Sequence, residues 1–375
     1  MSLSVRFQDI AGGSHAASVV QAKVGSAQNR AHQYWIDWAR SFGAIAVVTI
    51  HVVSYGLYLQ LAGVGRYATY NSLLFLLTRW AVPAFFMITG WLMLEPGREV
   101  GVARSLRAVC RFGAALLVFA LPLALMRSVV ENGLDTNSIL VGVESFLAGK
   151  SWSHLWYLYA LLGLWFLMPA FSAFARSAGR SAWQYVLVAL WFATTVVPFM
   201  NSFGVRFYPL IPVDGSAAGT SLLYVLLGGY VRRWLPSSRV AMRLALSSVF
   251  IVLVCIWVFS FSGLSAEPFW VPTSPIVPLW SVAAFTGFAR YARFKEPPPS
   301  MVKSLSANSY LIYILHAPLV PVFFALAGSD ASRCAPWALI LIGLVVFLFA
   351  WFGSCVIRLL PIACKVLGLE LIRLR

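Results

Sequence analysis

The sequence predicts an all-α integral membrane protein, a bundle of about ten transmembrane helices. Three observations carry that expectation. The chain is 60% hydrophobic and only 11% charged over 375 residues, too apolar for a soluble core beneath a wetted surface. Its apolar residues fall in runs of roughly 20, the length that crosses a hydrocarbon layer as helix. Its cations gather in alternate connections between those runs, the bias that orients a chain in a bilayer.

Taken in order, residues 1–30 are polar and small with no apolar core, and read as a flexible cytoplasmic tail, not a cleaved signal peptide. Spans follow at roughly 35–59, 71–94, 105–127, 154–174, 182–200, 216–235, 240–261, 271–290, 304–325 and 336–358. One transmembrane domain, 31–362, holds them all, and 363–375 reads as a cytoplasmic C-terminal tail. No repeat period is evident, and no soluble domain fits between the spans. Three outward segments are candidates for shaping a substrate site. Residues 128–153 carry Glu131, Asp135, Glu144 and Lys150 and end in Ser151-Trp152-Ser153-His154. Residues 201–215 mix aromatic, proline and polar side chains. Residues 262–278 hold Glu267, Trp270 and four prolines, too broken for helix. Aromatic rings with scattered polar groups suit stacking on sugar faces, although any membrane protein carries an interfacial aromatic belt.

A net charge of +16 would suit a nucleic-acid partner, but the distribution of the cations argues against one. With the N-terminus inside, one side collects Arg6, Lys23, Arg30 and Arg40, then Arg98, Arg104, Arg107 and Arg111, then Arg176 and Arg180. Arg232, Arg233, Arg239, Arg243, Arg290, Arg293, Lys295 and Lys303 continue it, and Arg358, Lys365, Arg373 and Arg375 end it. The other side keeps only Arg66, Arg127, Lys150, Arg206 and Arg333, with Arg79 near that half of the second span. This is a positive-inside pattern, and it places both termini in the cytoplasm. The five cysteines form no C-x-x-C pair, which argues against metal and redox chemistry.

Chemistry must therefore come from few residues. No Asp or Glu lies in the middle of any span, which weighs against a proton-coupled pump. Three histidines remain: His51 in span one, His154 at the outer mouth of span four, and His316 in span nine. An imidazole takes a proton from a hydroxyl near neutral pH, which suits group transfer to an alcohol. Arg40 and His51 are eleven residues apart, which returns them to within roughly 20° of one another on a helix, displaced by about 16 Å. One face thus presents a cation near one membrane surface and an imidazole deep inside. Asp37, three residues before Arg40, is placed to pair with it and orient it.

Five motifs follow one another between Trp35 and about Pro361. They are the Arg-x10-His of Arg40 and His51, Pro83-Ala-Phe-Phe-Met-Ile-Thr-Gly90, Arg104-Ser-Leu-Arg107 with Arg111 offering a competing register, His154-Leu-Trp-Tyr-Leu158 with Pro169, and Tyr313-Ile-Leu-His316-Ala-Pro318. In that order they resemble the membrane-bound acyltransferase family 3 of bacterial O-acyltransferases. The family often has a Phe-Phe…Ser-Gly turn at the second, where Thr89 stands for Ser, and an Arg-x-x-Arg at the third. The fourth is similar to the branch that acetylates enterobacterial common antigen and related exopolysaccharides.

The resemblance implies an O-acyltransferase of the bacterial inner membrane. It would take an acyl group, usually acetyl from cytoplasmic acetyl-CoA as co-substrate, and place it on a hydroxyl of a sugar or lipid-linked oligosaccharide. Arg40, Arg104 and Arg107 would meet the CoA phosphates, and the pantetheine arm would climb span one to His51, the general base or transient acyl carrier. His154, Trp156 and Tyr157 would face the acceptor, with His316 in support. No metal is implied, and other polysaccharide assembly proteins would be further partners. Two other classes stand beside this one: a flippase or exporter for a lipid-linked sugar, and a non-catalytic membrane subunit of a polysaccharide assembly complex. Neither needs the Arg-x10-His register. A different membrane acyltransferase fold is disfavoured, because no membrane histidine begins a His-x4-Asp sequence.

Overall fold

The computed structural model describes residues 33–60, 68–205, 217–262, 267–269, 271–328 and 333–369. The expected tail 1–30, most of segment 201–215, and residues 263–266, Trp270 and 370–375 lie outside the described residues.

All described elements are helical. Helix α1 spans Tyr34–Gln60. Helices α2 (Ala68–Thr78) and α3 (Ala81–Met93) form one span broken at Arg79-Trp80. Helices α4 (Val102–Ala115) and α5 (Leu121–Asn132) form a second continuous rod, and α6 (Thr136–Leu147) folds back on α5. Next come α7 (Trp156–Ser177), and α8 (Arg180–Trp191) continuing into α9 (Val197–Asn201). Helices α10 (Ala217–Arg233), α11 (Ser238–Ser262) and α12 (Ile276–Arg290) follow. Helices α13 (Ser300–Leu326), α14 (Pro336–Ile357) and the short α15 (Pro361–Leu367) close the chain.

Seven of these rods are long and apolar enough to cross a membrane, against the ten spans expected. Length explains one of the shortfalls. Helix α12 has 15 residues, or about 22 Å at 1.5 Å per residue, short of a hydrocarbon layer of roughly 30 Å. Helix α10 has 17 described residues, and residues 206–216 before it lie outside the described ones. Helix α11 is helical over 25 residues but stands outside the seven. Segment 128–153, expected from the sequence to face outward, is also more ordered than a loop. Asp135 caps α6 by accepting from the Ser138 amide at 2.6 Å, and Ser128 Oγ donates to the Ser138 carbonyl at 2.7 Å, so α5 and α6 make a hairpin. Residues 361–367 of the expected C-terminal region form α15, which packs on α4.

Two rods carry a single π turn, Leu116–Ala120 before Pro122 and Phe192–Val196 before Pro198. Each proline lacks the N–H that would bond four residues back, and the widened turn absorbs the mismatch. At Pro198 the carbonyl so released belongs to Thr194, and Thr220 Oγ1 of α10 donates to it at 3.3 Å.

The Pro83–Gly90 motif is not a turn. It lies inside α3, and its glycine is there for packing. A methyl group at Gly90 would sit 1.8 Å from the Val225 carbonyl oxygen, and one at Gly228 would sit 2.0 Å from that of Met87. Helices α3 and α10 therefore touch backbone to backbone, the close approach that small residues permit between helices in lipid. Around this pair pack α1, α7 and α12, α13 packs against α1, and the inward faces of α1, α3, α7 and α13 form the site.

Candidate active site

The three membrane histidines converge. His51 on α1, His316 on α13 and His154 in the turn leading into α7 have ring centroids 4.7 Å (51–316), 5.3 Å (154–316) and 6.0 Å (51–154) apart. His154 and His316 are buried and His51 is half-buried. Sequence reasoning put His154 at an outer mouth; the structure places it within the cluster.

Their tautomers follow from what each nitrogen faces. His51 Nδ1 lies 2.9 Å from the Val47 carbonyl, and His316 Nδ1 lies 3.1 Å from that of Ile312. Two lone pairs would repel there, so both Nδ1 atoms carry hydrogen. His316 Nε2 then holds a lone pair, 3.0 Å from His51 Nδ1, and accepts from it. His51 Nε2 keeps its own lone pair, the one needed to receive a proton or bond to carbon. His154 is the opposite tautomer, donating from Nε2 to the Ile314 carbonyl at 3.1 Å and leaving a buried Nδ1 with no partner. That carbonyl is free to accept because residue 318, four positions on, is a proline. The proline of the last motif thus anchors a histidine of the fourth. Tyr313 completes the clamp, its hydroxyl donating to the His154 carbonyl. Among the described residues no group of three or more His, Cys, Asp or Glu is arranged to hold a metal ion.

Below the cluster lies a cavity of about 340 Å³ between α1, α3, α4, α7 and α13. Arg40, Thr89, Arg111, Tyr157, Ser306 and Tyr313 supply its polar wall, and Val47, whose carbonyl holds His51, lines its inner end. A second cavity of about 470 Å³ shares Met93, Arg111 and Trp165 with the first and is otherwise lined by Arg104, Arg107 and Ala108. Arg104, Arg107 and Arg111 recur at i, i+3 and i+7, one face of α4. No carboxylate pairs with any of the three among the described residues. Both registers of the Arg-x-x-Arg motif therefore meet in one basic wall. Asp37 accepts from Ser306 Oγ at 2.7 Å and bears electrostatically on Arg40.

Other expected residues are placed less centrally. Tyr157 lines the cavity and packs on Phe86 and Tyr313, with centroids 4.6 and 5.1 Å away. Trp156 packs on Phe86 outside both cavities. Arg79, assigned from the sequence only to the outward half of its span, sits at the α2–α3 break with its guanidinium 4.0 Å over the Phe75 ring and within electrostatic range of His51. The signal for it was a cation inside an apolar run. Several other arginines hold helix ends: Arg233 donates to the Leu94 carbonyl at 2.7 Å and to that of Ala175, and Arg232 pairs with Glu95.

A family model described as an acyltransferase domain matches residues 33–359, nearly all the described chain. The chain belongs to acyltransferase family 3. No curated protein and no solved structure matches it. Within the family reading, this chain is a multi-pass membrane acyltransferase, and its imidazole cluster and basic cavities are the places where acyl chemistry has groups to use.

Proposed function

We propose that the protein is an acetyl-CoA-dependent O-acetyltransferase of the bacterial inner membrane. Its acceptor is a hydroxyl of a cell-surface polysaccharide or of a lipid-linked oligosaccharide. Both termini and the Arg104–Arg111 face are cytoplasmic in this reading, following the cation bias of the connections. One observation carries it: a wall of guanidiniums, with no carboxylate partner among the described residues, opens on a cavity that leads past Arg40 to Val47, one turn from His51. Guanidiniums match the diphosphate and ribose phosphate of CoA, and the rise of about 16 Å from Arg40 to His51 suits its extended arm. The apolar stretch of cavity between them suits pantetheine.

At the inner end the chemistry is acyl transfer. His51 Nε2 takes the proton of the acceptor hydroxyl as its oxygen bonds to the thioester carbon. The tetrahedral intermediate collapses, the C–S bond breaks, and the CoA sulfur leaves with the proton that His51 held. Arg79 adds positive potential near the oxyanion.

Mass spectrometry of surface glycans tests the reading. Cells lacking the gene should lose one acetyl unit per repeat, and the wild-type gene should restore it. His51→Gln, which keeps a polar group of similar size but takes up no proton at neutral pH, should express normally and restore less than about 1% of it. Full restoration by His51→Gln would show a structural polar residue and pass the catalytic role elsewhere. Unchanged glycans on deletion would remove the function itself.

A further inference from the structure

We propose that His316 is a positioning residue that, together with the Val47 carbonyl, makes His51 a one-sided base, doing with a neutral ring what a carboxylate does in a nucleophile–histidine–acid arrangement. The proposal rests on the role given to His51 above. Its geometric basis is the pair of Nδ1 atoms held against Val47 and Ile312, which leaves one nitrogen of each ring for the other or for substrate. His51 Nδ1–H is shared between the Val47 carbonyl and His316 Nε2, so its proton points into the protein and Nε2 is kept bare. A free histidine favours the other tautomer, with hydrogen on Nε2, which would present a donor where a base is needed.

The pair also handles charge. When Nε2 of His51 receives the hydroxyl proton, its Nδ1 proton can move the short way to His316 Nε2. Each ring then holds one positive charge in turn, and the Ile312 carbonyl faces the second. On collapse the shift reverses and the proton leaves with the CoA sulfur, so nothing is gained or lost by the pair. A buried carboxylate in this place would carry its own charge into a low-dielectric interior and lose its hydration before any substrate arrived. A neutral imidazole avoids that, which fits spans whose middles hold no Asp or Glu. The other groups facing the pair are His154 from the turn before α7, Tyr313 from α13 and Arg79 from the α2–α3 break. None of them supplies a carboxylate.

The test uses the full-length protein in nanodiscs, with acetyl-CoA and isolated acceptor glycan. His316→Ala should lower kcat about a hundredfold and leave KM for acetyl-CoA within about twofold, since the side chain lines neither cavity. His316→Gln retains an oxygen able to accept from His51 and should recover at least about tenfold of that loss. Imidazole ¹⁵N spectra of the wild type should show His51 protonated at Nδ1, a signature independent of turnover and of how any variant folds. The proposal is overturned by wild-type kcat in His316→Ala, by equal rates in the Ala and Gln variants, or by a His51 protonated at Nε2. His51→Ala, run alongside, separates the two levels. Activity retained there removes His51 as the base and this inference with it, whereas activity lost there beside wild-type kcat in His316→Ala removes the inference alone.

Discussion

Arg40 is half-buried within the wall of a cavity, with Ser306 holding the carboxylate of Asp37 nearby. A fork of parallel donors can grip a phosphate there through two bonds, and an ammonium cannot. Arg40→Lys should therefore weaken acetyl-CoA binding about tenfold or more while the protein folds normally, which calorimetry on purified protein checks. Wild-type affinity would take Arg40 out of the donor site. The pairing of Arg40 with His51 was legible in the sequence because one helix relates them by simple rotation. The convergence of His154 and His316 on His51 was not, because those contacts join residues 160 and 265 positions apart along the chain, and no local period encodes them. A hint existed in Pro318: a proline inside an apolar helix frees a carbonyl, and a buried carbonyl needs a donor. Arg111 was left as an alternative to Arg107 because both fit a short motif. The face of α4 shows that they line the same cavity.

At the scale of elements, the helix breaks and close contacts carry the site. Pro318→Ala restores an N–H that can bond the Ile314 carbonyl, which then competes with His154. The turn holding His154 should loosen, and acetylation should fall several-fold while expression stays at the wild-type level, read by glycan mass spectrometry and immunoblot. Unaltered acetylation would mean that the anchor has no functional weight. Gly90→Ala acts differently. A methyl group forced against the Val225 carbonyl must push α3 from α10, at a cost of about 2–4 kcal/mol. Thermal unfolding in detergent should show a clear drop in midpoint, and an unchanged midpoint would contradict the backbone contact. The sequence showed that Gly90 belongs to a motif. It could not show why, since the reason lies in a partner helix more than a hundred residues away. The spans themselves were read well where a long apolar run is also one long apolar helix, as in α7 and α14. They were over-counted where the helix is shorter than the bilayer, as in α12.

For the whole molecule, the proposed direction of transfer depends on which side the basic face occupies. Reporter fusions after Arg232-Arg233 should show a cytoplasmic location, in keeping with the charge bias, and a periplasmic signal there would invert the donor and acceptor sides together. The charge pattern was legible at a glance because orientation is set by local counts of Lys and Arg. The conversion of some of those arginines into helix clamps, such as Arg233, and others into cavity wall, such as Arg104, required the fold.

Gly368 adds a genetic consequence. It caps α15 with φ +63°, and a methyl group there would lie 2.5 Å from Cδ of Arg111. Side-chain space at the end of α15 and the pose of a guanidinium on α4 are thus one variable. In a screen for strains defective in glycan acetylation, lesions at Gly368 should group with donor-site alleles, relieved by raising the intracellular acetyl-CoA pool, and not with alleles of the histidine cluster, which no supply of donor would rescue.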